Sequence, residues 1–100
     1  MAAVGEVVND MTEVEYEDYL DIRPPEGEEW FIPNIYHANE AVLLKTNGDH
    51  EILFASDDDK EGGAWNAFKF FLDRDQYLRV RNVHSDGEAS VIGYEGVRIR

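Results

Sequence analysis

Residues 19–36 read YLDIRPPEGEEWFIPNIY, and this stretch predicts two β-strands joined by a corner. The first strand, residues 19–23, ends at Pro24 and Pro25, because proline fixes its own φ, lacks an N–H and holds the preceding residue extended. A polar turn follows, and residues 29–36 continue as an aromatic-rich strand. Apolar side chains on both sides of the corner predict that it belongs to the core of the domain.

The rest of the chain predicts further short strands. From residue 12 to residue 22 apolar and acidic residues alternate, which is typical of a strand with one buried face. Asn47-Gly48 predicts a hairpin between residues 41–46 and 50–55, because both turn positions tolerate φ > 0. Three more strands are predicted over residues 64–72, 76–83 and 89–100.

Seven or eight short strands at spacings of about 10 residues, with no helical period, predict an all-β antiparallel sandwich of the jelly-roll kind. Residues 1–12 lack a clear period and predict an N-terminal arm, either flexible or lying on a neighbouring subunit, before a single domain over residues 13–100. Pro33 predicts a sheet edge or a bulge, and the stretch from Gly93 to Gly96 predicts a second bulge. The predicted core consists of Trp30, Ile35, Phe54, Phe68, Phe70, Leu78, Val80 and Ile92.

Charge is the unusual feature of the composition. The chain has 22 acidic and 9 basic residues, which gives a net charge of −13. This charge repels itself in dilute buffer, whereas at molar salt the screening length falls to about 3 Å. The sequence therefore predicts a protein adapted to a salt-saturated environment, with an ordinary acidic protein as the alternative. Nucleic acid and anionic membranes are disfavoured as partners, because both need clustered Lys and Arg.

The opening stretch is similar to a group of small virion proteins of tailed viruses, and the similarity extends over residues 19–100. The matching residues are Leu20-Asp21-Ile22-Arg23-Pro24-Pro25, Gly27-Glu28-Glu29-Trp30, Asn34-Ile35-Tyr36, Gln76-Tyr77-Leu78-Arg79-Val80, Asn82 and Gly96-Val97. The resemblance implies a structural protein of the head or tail, assembled in the host cytoplasm, with the major capsid protein or other virion proteins as partners. Together with the acidity it implies a capsid decoration or vertex turret protein of a haloarchaeal virus.

No motif predicts catalysis or a cofactor, and the resemblance carries no catalytic residues. His37, His50 and His84 lack the spacing of metal ligands, so no metal site is predicted from them. The segment Asp57–Asp59 offers hard oxygens to Ca²⁺ but lacks the alternating spacing of a calcium loop; a solvated acidic loop is the simpler interpretation, and calcium remains an alternative. The sequence therefore predicts a protein that is not an enzyme.

Trp65 and Tyr77 are predicted to face outward, with Arg79 and Arg81 on one face of their strand. These four residues form a predicted oligomer interface, since exposed aromatics and arginines are typical of subunit contacts. The acidic residues at positions 13, 15 and 17 are the predicted partners of the arginines. A homotrimer is favoured over a pentamer, because the resemblance implies threefold positions for decoration proteins. The alternative is a carbohydrate- or receptor-binding module on a head fibre or tail, with the two aromatics as its platform.

Overall fold

The computed structural model describes residues 3–100, which fold into nine strands and no helix. The strands are β1 (Val7–Val14), β2 (Tyr19–Ile22), β3 (Trp30–His37), β4 (Ala41–Thr46), β5 (Glu51–Asp57), β6 (Gly63–Trp65), β7 (Phe70–Leu72), β8 (Tyr77–Asn82) and β9 (Ser90–Arg98). They form two antiparallel sheets packed against each other, so the predicted all-β sandwich is confirmed. The described residues contain no helix that is long and apolar enough to span a membrane.

Each sheet has a simple strand order. Sheet A runs β1-β9-β3-β6, with β7 also paired to β3, and sheet B runs β2-β8-β4-β5. The predicted strand over residues 64–72 is two strands, because β6 pairs with the end of β3 and β7 with its beginning. The strands β5, β6 and β7 therefore lie at the edges of their sheets, and the sandwich is open where these edges meet.

The corner between β2 and β3 is part of the core, as the sequence predicts. Pro24 is fully buried, and Glu28 in the polar turn is 2% exposed. The Glu28 carboxylate accepts a hydrogen bond from Trp30 Nε1 at 3.2 Å and lies 3.6 Å from Arg98 Nε. A buried carboxylate needs such partners, and these tie the corner to the last strand.

Six of the eight predicted core residues are buried. The two exceptions, Phe54 and Phe68, lie next to each other, with their rings 4.8 Å apart. Trp30, Ile35, Phe70, Leu78, Val80 and Ile92 lie in the core cluster, Phe68 is half-buried, and Phe54 is 45% exposed. The prediction for Phe54 is wrong because of a bulge in β5: Leu43 pairs with Ala55 and Leu44 with Leu53, which leaves Phe54 between them. An extra residue breaks the alternation of inward and outward side chains.

A second bulge explains Pro33. The strand β3 lies inside sheet A, so the edge alternative is wrong and the bulge is confirmed by the register shift between Phe31 and Asn34. Gly96 of β9 lies opposite this bulge, and a Cβ there would overlap the carbonyl oxygen of Phe31. The bulge predicted between Gly93 and Gly96 therefore belongs to β3, and glycine in β9 leaves room for it.

The N-terminal segment is not a free arm. Residues 1 and 2 lie outside the described residues, but from Val7 onward the chain is β1, paired with β9 from Val7↔Val97 to Val14↔Ser90. The predicted arm is therefore wrong from Val7 onward, and the predicted boundary at residue 12 falls inside a strand. Strands of this kind hold a terminus in place.

The predicted hairpin at Asn47-Gly48 is confirmed, with a four-residue connection between Thr46 and Glu51. The Asn47 side-chain oxygen accepts hydrogen bonds from the backbone N–H groups of Asp49 and His50, at 3.0 and 2.7 Å. Gly48 has a φ of +94°. The side-chain hydrogen bonds of asparagine and the positive φ of glycine fix this turn.

Candidate interaction surfaces

Arg79 is positioned by sheet B and is engaged within the chain. Its Nε and Nη2 donate hydrogen bonds to the two carboxylate oxygens of Asp21 at 2.8 and 3.2 Å, and Nη1 donates to Glu51 at 2.6 Å. Its guanidinium lies 3.9 Å from the centre of the Tyr19 ring. The hydrogen bond to Asp21 raises the pKa of Arg79. The acidic partners of Arg79 are thus Asp21 and Glu51, not the predicted residues 13, 15 and 17.

Trp65 and Tyr77 are not exposed as predicted: Trp65 faces the core, whereas Tyr77 lies on the outer face of sheet B but is covered there. Tyr77 is 3% exposed, and the Arg23 guanidinium covers its ring at 4.4 Å. Trp65 pairs with Ile35, packs against the core cluster and lies 4.4 Å from the ring of His37. The two aromatics therefore do not form an exposed platform for a sugar. As anchors of an oligomer interface they also have little free surface, so the exposed apolar area of the chain lies elsewhere.

Arg81 is half-buried in β8, and among the described residues its Nε has no hydrogen-bond partner. Its register partners are Tyr19 and Val42 on the neighbouring strands. A buried N–H group without an acceptor costs free energy, because it has lost its hydrogen bonds to water. A place for Arg81 in an oligomer interface stays a prediction.

His37 and the acidic loop have local structural roles. His37 is buried, with Nδ1 2.9 Å from the Asn39 carbonyl oxygen and Nε2 3.4 Å from Asp57. Asp57 and Asp59 each accept a hydrogen bond from the backbone N–H two residues ahead, at 2.9 Å, as in Asx-turns. Within residues 3–100, no group of three or more His, Asp or Glu side chains is arranged to hold a metal ion.

The open edge of the sandwich forms an apolar groove with a volume of about 650 Å³. We call it the lysine-rimmed groove, and its residues are Ile52, Phe54, Ala67, Phe68 and Phe70 with Lys45 and Lys69. The Phe54 ring lies 4.8 Å from the Phe68 ring and 5.1 Å from the Phe70 ring. The β5 bulge and the break between β6 and β7 create this opening, because neither edge is covered there.

The outer face of sheet A carries a continuous line of apolar side chains. We call it the apolar row, and it consists of the register partners Val7, Val97, Phe31 and Phe71. Residues directly opposite each other on neighbouring strands point to the same face. Val7 and Phe71, at its two ends, are 64% and 66% exposed, and the rings of Phe31 and Phe71 are 5.1 Å apart.

A third exposed apolar surface lies towards the other end of the same face. We call it the Met11 patch, formed by Met11, Tyr36 and Val91; Met11 and Tyr36 line two pockets, one of which includes Asp10 and Glu95 and the other Val91. Gly93 pairs with both Met11 and Tyr36, and a Cβ at this position would lie 2.9 Å from the Asp10 carbonyl oxygen, so glycine allows the strands to approach closely here. The Tyr36 hydroxyl donates to Glu95 at 2.7 Å, and this hydrogen bond raises the pKa of Tyr36.

Sequence reasoning missed these three surfaces for identifiable reasons. The alternation of β1 already places Val7 and Met11 on the same face as Asn9 and Glu13, so this pattern was the available signal. The groove could not be predicted from the alternation of a strand, because it depends on the bulge at Phe54 and on the break after Trp65. No protein-family model matches the chain, and no curated protein matches it.

Proposed function

We propose that this chain is a non-enzymatic virion structural protein, a capsid decoration or vertex turret protein of a halophilic tailed virus. Its partners are further copies of itself and the major capsid protein. Its work is mechanical: one apolar surface attaches the domain to the shell, and the acidic remainder faces the surrounding brine.

The apolar row is the observation on which this proposal rests. Four apolar side chains lie in register across four strands, and both ends of the line are highly exposed. Extended apolar surfaces on small soluble domains usually mark contacts with other proteins. An exposed sheet face of this kind suits attachment to a broad shell surface.

The net charge supports a protein partner and a high-salt environment. A net charge of −13 on 100 residues disfavours both nucleic acid and anionic lipid as the covered surface. It leaves a protein surface as the natural partner of the apolar row. At molar salt the screening length is about 3 Å, so an apolar contact persists while repulsion between acidic neighbours is suppressed.

The test is binding to purified shells that lack the protein, at molar NaCl, with antibody labelling of intact virions as a second readout. The parent chain should bind in a saturable manner, and Phe71→Ser should weaken binding at least tenfold. Leu53→Ser is the matched control, since Leu53 is nearly as exposed as Phe71 (61% against 66%) but pairs with Leu44 on sheet B. Failure of the parent to bind shells, with no labelling of virions, would overturn the proposal.

A further inference from the structure

The lysine-rimmed groove is cationic in a chain that is otherwise strongly acidic. The sequence contains only three lysines, and two of them, Lys45 and Lys69, line this groove. Lys45 is the register partner of Ile52, which places its side chain on the groove side of sheet B. An apolar groove bordered by ammonium groups suits an apolar side chain that is itself bordered by carboxylates.

The Met11 patch has this complementary composition. Met11 is 71% exposed, more than any other large hydrophobic residue of the described chain. Asp10 and Glu95 border it in one pocket, and Glu13 follows two residues later on the same face of β1. Methionine is unbranched and flexible, so its side chain adapts readily to an irregular apolar groove.

We infer that the Met11 patch of one copy docks into the lysine-rimmed groove of a second copy. The Met11 side chain contacts Phe54 and Phe68, while the neighbouring carboxylates pair with Lys45 and Lys69. This inference deepens the proposed assembly of the protein with itself, and it rests on that part of the proposed function.

The two surfaces are different and lie apart, so we infer that the contact is head to tail. The groove lies at the β5 edge of sheet B. The patch lies on sheet A, towards its β1 edge and away from its β6 edge. A head-to-tail contact repeats from copy to copy and closes into a ring when the rotation allows. A threefold ring is the smallest such closure, which agrees with the trimer expected from the sequence.

A two-fold contact through the β5 edge is less favourable. If two β5 strands paired antiparallel about Phe54, Glu51 of each copy would face Asp57 of the other, because these positions are equidistant from the centre. Like charges directly opposite each other destabilise a strand pair. The lysine-rimmed groove would also meet a second cationic groove, so a β5–β5 dimer leaves the charges of both copies unmatched.

The experiment blocks each surface separately. Met11→Lys places a cation on the patch, and Ile52→Glu places a carboxylate in the groove; both positions are highly exposed, so the fold should tolerate the changes. Leu53→Glu is the matched control, because Leu53 is the exposed neighbour of Ile52 on the opposite face of β5. Each protein is measured by light scattering after size exclusion at molar NaCl, with a melting curve to verify folding.

The parent and Leu53→Glu should form an oligomer, and each blocked variant alone should have the mass of one chain, 11.5 kDa. An equimolar mixture of the two blocked variants should form a dimer, since it retains one intact patch and one intact groove. A monomeric parent, a mixture that stays monomeric, or a Met11→Lys variant that still associates would each overturn the inference. The last result would indicate a β5–β5 contact instead.

The same proteins separate this inference from the proposed function. A parent that is monomeric yet binds shells would overturn the head-to-tail contact and leave the virion role standing. A parent that forms the oligomer through both surfaces but binds no shell would support the contact and count against the virion role.

Discussion

Arg79 of β8 holds both carboxylate oxygens of Asp21 in β2, through Nε at 2.8 Å and Nη2 at 3.2 Å. The same guanidinium reaches Glu51 of β5 and stacks on Tyr19. One arginine thus connects three strands on the outer face of sheet B. Its planar fork is essential to this arrangement, because a carboxylate is held at two points only by a group with two parallel N–H donors.

Replacement of Arg79 by lysine should therefore destabilise the protein despite the conserved charge. We expect a loss of about 1–2 kcal/mol in the free energy of unfolding, since the bidentate contact and the stacking are both lost. Urea denaturation measures the loss. Arg74→Lys, at an exposed position, is the control and should change stability by less than about 0.5 kcal/mol. Equal effects of the two substitutions would contradict the assigned role of Arg79.

Phe70 and Phe71 are neighbours with opposite environments, which makes them a sharp test of the core. Phe70 is buried, whereas Phe71 lies on the outer face of sheet A. Phe70→Ala should cost about 3–5 kcal/mol, the usual range for emptying a buried phenylalanine site. Phe71→Ala should cost far less, because its loss leaves no internal cavity. Chemical denaturation of both variants gives the comparison, and a reversed order would mean that the strand faces the other way.

Gly96 should tolerate no side chain, because the bulge in β3 brings the Phe31 carbonyl oxygen against it. Gly96→Ala should cost about 3 kcal/mol or more, since backbone on both strands must shift. Gly87→Ala is the control: Gly87 has a φ of +72° but nothing within 4 Å of its added Cβ, so it should show only the left-handed strain of about 1 kcal/mol. Thermal melts of both variants measure the difference, and a stable Gly96→Ala protein would remove the bulge.

The sequence predicts the sandwich because local sequence patterns mark its strands and turns. Two prolines end β2, Asn47-Gly48 joins β4 to β5, and alternation marks β8. Phe54 shows where local patterns stop being informative. Its position depends on one extra residue in the pairing of β5 with β4, and pairing between strands leaves no trace in the alternation of a single strand.

The interaction surfaces were harder to predict than the fold. Tyr77 and Leu78 are both buried although they are adjacent in one strand, because Arg23 covers the outer face at Tyr77. Trp65 faces inward because β6 pairs with the end of β3 and the chain breaks before Phe70. Both outcomes depend on contacts with residues distant in sequence, and the alternation of residues along a single strand carries no information about such contacts.

Stability should rise with salt. With a net charge of −13, screening relieves self-repulsion between dilute buffer and molar NaCl, so the melting temperature should increase over that range. The control is a triple variant, Asp58→Asn, Asp75→Asn and Asp86→Asn, which removes three exposed negative charges. Its melting temperature should be higher in dilute buffer and should depend less on salt. A parent whose melting temperature is flat or falls with salt would contradict the proposed adaptation to a salt-saturated environment.

Tyr94 should make the protein less stable at high pH. Its ring is buried in β9, stacked 6.2 Å from Trp30, and burial, with a smaller contribution from Asp10, raises its pKa to about 12. The ordinary tyrosine pKa is about 10, so the folded protein favours the neutral phenol more strongly than the unfolded chain does. The stabilisation from this group is therefore complete below about pH 10 and is lost as the pH rises through about 12. Tyr94→Phe has no phenol to ionise at this position. Between these two pH values the parent should therefore lose more unfolding free energy than Tyr94→Phe, as measured by denaturant titration at each pH. A difference that stays constant across this window would show that Tyr94 ionises equally well in the folded and unfolded chains.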